Sequence, residues 1–92
     1  MKGVTRLNDA DVPHCSLPKR AEASLDVFVE GFGISRQGDE NTLHDNCNSS
    51  THSTKITTGS LTVFVNGKGC GRIGDLTGCT SVAEGSLTVF AG

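Results

Sequence analysis

The phrase Ser-Leu-x-Val-Phe stands three times in this chain, at Ser24–Phe28, Ser60–Phe64 and Ser86–Phe90. A second phrase, Arg-x-x-Asp, also stands three times, at Arg6/Asp9, Arg36/Asp39 and Arg72/Asp75. The two are interleaved, and each aspartate is followed by a side chain able to bind a metal: His14, His44 and Cys79. The chain ends carry complementary halves of the unit, its second arm in residues 3–9 and its first arm in residues 86–92. Pairing these halves completes a third unit, so the repeat runs around an axis, with Val4 beside Val89. Closure of this kind also hides the edge strands that invite aggregation.

Each unit reads as a hairpin: a first arm Ser-Leu-x-Val-Phe-x, a glycine turn, and a second arm ending at the aspartate. Asn66-Gly67 is a strong tight-turn signal, and Glu30-Gly31 holds the matching place with a weaker one. Gly38-Asp39 and Gly74-Asp75 read as chain reversals, with Asn8 standing where the other copies have glycine. The expected fold is all-β, a small cone of three hairpins related by a pseudo-three-fold axis, in one domain spanning residues 1–92. No window of eleven or more residues holds a helical period. With four Phe as the sole aromatics and twelve Gly, little bulk is available for a core, and a chain this lean needs a staple or a partner surface.

Alternation along the first arms puts Leu25/Val27/Val29, Leu61/Val63/Val65 and Leu87/Val89/Ala91 on one face and Phe28, Phe64 and Phe90 on the other. Two readings of the phenylalanines stand. They fill the core, or they form a ring on a flat surface that docks on a partner.

Histidine occurs three times, so its placement carries weight. His14 and His44 each lie five residues after a repeated aspartate, and Cys79 lies four after the third. Matching positions in three related units converge on the axis of a closed ring. His52, in the long loop from Asn46 to Lys55, is able to swing in as a fourth ligand. Three imidazoles and a thiolate suit tetrahedral zinc, with iron a less common occupant, and a filled shell makes the site structural. An all-cysteine set of Cys15, Cys47, Cys70 and Cys79 is the alternative. Otherwise Cys15 stays outside the site, and Cys47 and Cys70 are small buried or idle thiols.

The Gly-Asp turns, the histidines after them, Ser60-Leu61-Thr62-Val63-Phe64-Val65-Asn66-Gly67 and Gly74-Asp75-Leu76-Thr77-Gly78-Cys79 together resemble PAAR-repeat proteins over residues 3–92. More narrowly, the chain is similar to the small PAAR proteins capping the central spikes of contractile-tail phages. That resemblance implies a metal near the apex held by His14, His44, His52 and Cys79. It also implies a broad base seated, one chain per trimer, on a β-helical spike, with Phe28, Phe64 and Phe90 as candidate contacts. The implied function is a spike tip that aids puncture of the host outer membrane with transient membrane contact, in a virion. The type VI secretion spike, with extracellular delivery, is the alternative. The name-giving Pro-Ala-Ala-Arg is absent as such.

A net charge of −2 with scattered basic residues argues against nucleic acid as the partner. A metal hydrolase needs an open coordination position and a base, for which Asp45 or Glu40 are the candidates. A four-ligand shell leaves no such opening, so no enzyme activity and no small-molecule substrate are expected. There is no apolar run of bilayer length and no signal-peptide core. The chain is therefore expected to fold in a cytoplasm, with its four cysteines as thiols or ligands rather than disulfides.

Overall fold

Each Arg-x-x-Asp segment closes a turn of one design. The Asp9, Asp39 and Asp75 N–H groups donate to the carbonyls of Arg6, Arg36 and Arg72 at 3.0, 2.9 and 3.0 Å. The third residue of each turn has positive φ: 73° at Asn8, 93° at Gly38 and 90° at Gly74. This is the left-handed position of a type II turn, free to glycine and accessible to asparagine. Asn8 therefore keeps the backbone of the other two copies. Each carboxylate then accepts the arginine's backbone N–H and its guanidinium Nε and Nη2, at 2.7–3.1 Å across all three.

The computed structural model describes residues 1–48 and 50–92, and among them there is no helix. Eight two-residue strands appear: β1 (Lys2–Gly3), β2 (Phe28–Val29), β3 (Phe32–Gly33), β4 (His44–Asp45), β5 (Thr51–His52), β6 (Phe64–Val65), β7 (Lys68–Gly69) and β8 (Phe90–Ala91). β2 pairs with β3 and β6 with β7, each antiparallel. Their turns have positive φ at both central residues, 55° and 85° at Glu30-Gly31 and 53° and 78° at Asn66-Gly67, as a type I′ turn demands. The terminal halves complete the third hairpin. Lys2 faces Ala91, Gly3 faces Phe90, and the Val4 N–H donates to the Val89 carbonyl at 3.0 Å.

The hairpins grip one another where they turn. Glu30 accepts from Thr88 Oγ1 at 2.8 Å and from Arg6 Nη1 at 2.5 Å. Asn66 Nδ2 donates to Asp26 at 2.9 Å, while its Oδ1 accepts from Arg36 Nη1 at 2.9 Å. In the third unit Gly92 stands in the place of Glu30 and Asn66, and its carbonyl accepts from the hydroxyls of Ser60 and Thr62.

Inside, the same order repeats in layers. Val29, Val65 and Ala91 join Val4, Ile34 and Cys70 in one apolar cluster. Next come Thr5, Ser35 and Gly71, whose backbones hydrogen-bond in a circle: Thr5 N–H to Gly71 O, Gly71 N–H to Ser35 O and Ser35 N–H to Thr5 O, each 3.0 Å. A Cβ on Gly71 would fall 2.7 Å from the Ser35 backbone oxygen, with Thr5 Cγ2 and Ile56 Cδ1 at 2.9 Å, so any larger residue would have to push the backbone circle apart. Beyond the circle, Arg20, Ile56 and Val82 take matching places, their N–H groups donating to the carbonyls of Asp9, Asp39 and Asp75 at 2.8, 3.0 and 2.9 Å. All three side chains are buried. The long dimension of the molecule is 37 Å against 23 and 22 Å.

Several expectations change. The first arms are not strands over their whole length. Ser24, Ser60 and Ser86 are buried, and each Oγ accepts the N–H groups two and three residues on. The Ser-Leu-x-Val stretch is thus a serine-anchored turn, with strand beginning at the phenylalanine. The turn throws the leucines outward: Leu25, Leu61 and Leu87 are 94, 87 and 86% exposed. Phe28, Phe64 and Phe90 are 57, 60 and 47% exposed, so the core reading of the phenylalanines fails and all three lie at the surface. Part of the expected Asn46–Lys55 loop is paired, as β5 lies antiparallel to β4. The thiol expectation also fails for two cysteines, because Cys15 and Cys47 form a disulfide, with Cα atoms 5.2 Å apart.

Candidate metal centre

The turn at Asp9 sends the chain through Asp11 to His14, and the turn at Asp39 sends it through Asn41 to His44. The turn at Asp75 leads through Thr77 to Cys79. Residues two beyond each turn aspartate (Asp11, Asn41 and Thr77) are all buried and pair in bridges with Val82, Arg20 and Ile56. That layer fixes the stems of three loops, and the repeat delivers one donor from each. His52 arrives differently. It sits on β5 directly opposite His44 on β4, so cross-strand pairing places two imidazoles side by side.

His14 Nε2 lies 2.7 Å from His44 Nε2 and 3.3 Å from His52 Nε2, and Cys79 Sγ lies 3.5 Å from His44 Nε2. One donor atom from each of the four residues lies within 4.8 Å of the others. Ligands of a tetrahedral ion at about 2.0–2.3 Å stand roughly 3.3–3.7 Å apart, a spacing this cluster spans. His44 Nδ1 is 2.6 Å from the Thr42 carbonyl, which only accepts, so the ring proton is on Nδ1 and the Nε2 lone pair faces inward. The His44 lone pair thus points into the cluster, where it can accept a proton or bind a cation. Burial, and then the charges of His44 and His14, lower the pKa of His52, favouring the neutral form that ligates. The four side chains fit a metal ion.

All four expected ligands, His14, His44, His52 and Cys79, are brought together. The all-cysteine alternative fails, because Cys15 and Cys47 are bonded to each other and Cys70 lies in the apolar cluster. Burial pushes the Cys70 thiol up to about 11, so it stays protonated. The disulfide ties the loop after His14 to the hairpin carrying His44 and His52. Beneath the site Arg20 faces Asp11, with Nε to Oδ1 at 3.7 Å. Burial lowers the Arg20 pKa and raises that of Asp11. Sequence reading missed this pair, although Lys19-Arg20-Ala21-Glu22, Lys55-Ile56-Thr57-Thr58 and Ser81-Val82-Ala83-Glu84 form a third repeated phrase. It also missed Thr54 and Thr77 around Cys79, and Asn41 behind Thr54. For Thr54 no sequence signal exists.

A three-unit β-hairpin ring, closed by its own chain ends and carrying a three-histidine, one-cysteine cluster, defines a class of small all-β proteins able to hold one metal ion. A family model described as the PAAR motif matches residues 47–92, and the chain belongs to that family. Membership makes it a spike-tip or adaptor component of a puncturing machine, acting together with a spike protein. The match contains His52 and Cys79, while His14 and His44 precede it. No curated protein matches the chain.

Proposed function

We propose that the chain is the pointed cap of the trimeric central spike of a contractile phage tail, tapering the spike for puncture of the host outer membrane. The observation carrying this reading is the exposed apolar ring of Leu25, Leu61, Leu87, Phe28, Phe64 and Phe90. It is built from matching positions of three units that grip one another in a circle. Exposed apolar surface repeated in this way calls for a cover. One chain presenting three alike arms meets a three-chain partner without a symmetry conflict. A β-helical spike offers strand ends against which these short hairpins can pair.

The side chains of His14, His44, His52 and Cys79 would hold zinc, with iron as second occupant. Bound there, the ion would supply cross-linking rather than Lewis-acid chemistry, because four protein donors fill a tetrahedral shell. No catalysis is assigned. Glu40, one candidate base, already accepts from Ser53 Oγ at 3.2 Å. The cap would reach its place as part of the virion.

Co-expression with the trimeric spike of the same phage should yield one cap per three spike chains by native mass spectrometry. Leu25→Ser/Leu61→Ser/Leu87→Ser should abolish that complex and keep the metal content. A wild-type cap that fails to form the 1:3 complex counts against the phage assignment. If it instead forms one with a type VI secretion spike, the secretion reading takes its place.

A further inference from the structure

Cys79 is the single donor of the four that ligates as an anion, and the structure surrounds its sulfur with hydroxyls. Thr54 Oγ1 lies 3.1 Å from Cys79 Sγ, and Thr77 Oγ1 lies at 3.8 Å. The direction of the Thr54 contact follows from donor bookkeeping. Asn41 Oδ1 accepts the Thr54 backbone N–H at 2.8 Å, which fixes the orientation of the buried amide. Asn41 Nδ2 then spends its two protons on Asp11 Oδ2 at 3.0 Å and on Thr54 Oγ1 at 3.2 Å. An amide NH2 only donates, so the Thr54 hydroxyl is the acceptor there. Its own proton is left for the sulfur. Thr77 repeats the pattern, since its Oγ1 accepts from the N–H groups of Cys79 at 3.3 Å and Thr80 at 2.9 Å.

We propose that Thr54 is a positioning residue for the sulfur ligand: its O–H, oriented by the Asp11–Asn41 pair, donates to the Cys79 thiolate, with Thr77 as a longer second donor. This inference rests on the metal-centre reading above. A donated hydrogen bond stabilises the sulfur lone pairs, which sets the energy of their charge transfer to an ion, and it fixes the direction in which the sulfur points; for binding, losing that direction outweighs the freer donation of an unbonded sulfur. Outer partners of this kind typically change metal affinity by about 10–100-fold.

The test uses cobalt(II) as a spectroscopic probe in the purified full chain. Wild type should show a sulfur-to-cobalt charge-transfer band. Thr54→Val, which keeps the side-chain shape, should move that band to lower energy and weaken zinc binding about 10-fold in a chelator competition. Thr54→Ser should restore both. Should the valine variant not fold, Thr54→Ala removes the same hydroxyl and must shift the band the same way. An unshifted band in a folded, hydroxyl-free variant overturns the inference while the metal reading survives. A wild type that takes up cobalt without any sulfur band overturns the metal reading and this inference with it.

Discussion

The two ends of the molecule solve the same problem by opposite means. At the hairpin end everything is done three times: the serine-anchored turn, the exposed leucine and phenylalanine, the grip on the next unit, and the arginine–aspartate clamp. At the metal end the three-fold plan supplies the loop stems and then breaks. One loop carries His14, one carries both His44 and His52 on an added hairpin, one carries Cys79, and a disulfide links only the first two. Repetition suits a surface that meets a repeated partner. A point on an axis has room for one ion, and its four donors cannot be divided equally among three units.

The sharpest way to break the comparison is to remove the metal. Chelation, or His14→Ala with His44→Ala, should destabilise the protein on the order of 5 kcal/mol, lowering Tm by roughly 20 °C or more. Hydrogen exchange should then rise first in residues 12–17, 44–48 and 50–54 and only later in the hairpin ring. Equal loss of protection at both ends would show that the ends do not differ as described.

Arg20 marks the boundary between the two regimes, standing where the other units have Ile56 and Val82. Arg20→Leu alone should cost about 3–5 kcal/mol, because Asp11 is left buried without its partner. Arg20→Ile combined with Asp11→Asn, which copies the unit of Ile56 and Asn41 more closely, should recover most of that loss in a denaturant titration. Failure to recover would mean that the charge pair itself, rather than its burial, sustains the layer.

The disulfide closes a loop with a sequence separation of 32, for which chain entropy suggests roughly 3–4 kcal/mol. The metal ligands close nearly the same loop, so the two staples should overlap. Cys15→Ser/Cys47→Ser should cost less than about 1 kcal/mol with metal bound and most of the full amount after chelation. Additive costs in the two states would refute the overlap.

The smallest effects should come from the repeated end. Asp9→Asn, Asp39→Asn and Asp75→Asn each weaken one clamp and should cost about 1–3 kcal/mol, agreeing among themselves within about 0.5 kcal/mol. A wide spread would show that the ring is three-fold in appearance and not in energy.

The same contrast explains what could be read from the chain. Terminal pairing, the turns at Asp9, Asp39 and Asp75, and the ligands His14, His44 and Cys79 were legible because a repeat is a relation between distant residues. The role of the leucines was not, because Ser-Leu-x-Val alternates like a strand, and only the serine hydroxyl's two N–H bonds turn it outward. The β4–β5 hairpin lies in a polar stretch with no apolar alternation, and it is held by the backbone and by the paired histidines. Cys15 and Cys47 occupy places without counterparts in the other units, so nothing in the pattern joins them. Arg20 was masked by its charge. A buried arginine in an apolar repeat position runs against the usual distribution of residue types, and only alignment with Ile56 and Val82 exposes it.

The junction of Gly92 with the first strand has a topological consequence. Because Lys2 lies opposite Ala91 and the Gly92 carbonyl does the gripping done elsewhere by Glu30 and Asn66, the third unit is assembled from two segments far apart in sequence. A variant with Asn-Gly in the places of Gly92 and Met1, joined there and opened between Glu30 and Gly31, should keep every layer in place. The order in which the three units follow along the chain should then matter little to the ring, and its circularly permuted versions should fold to the same object.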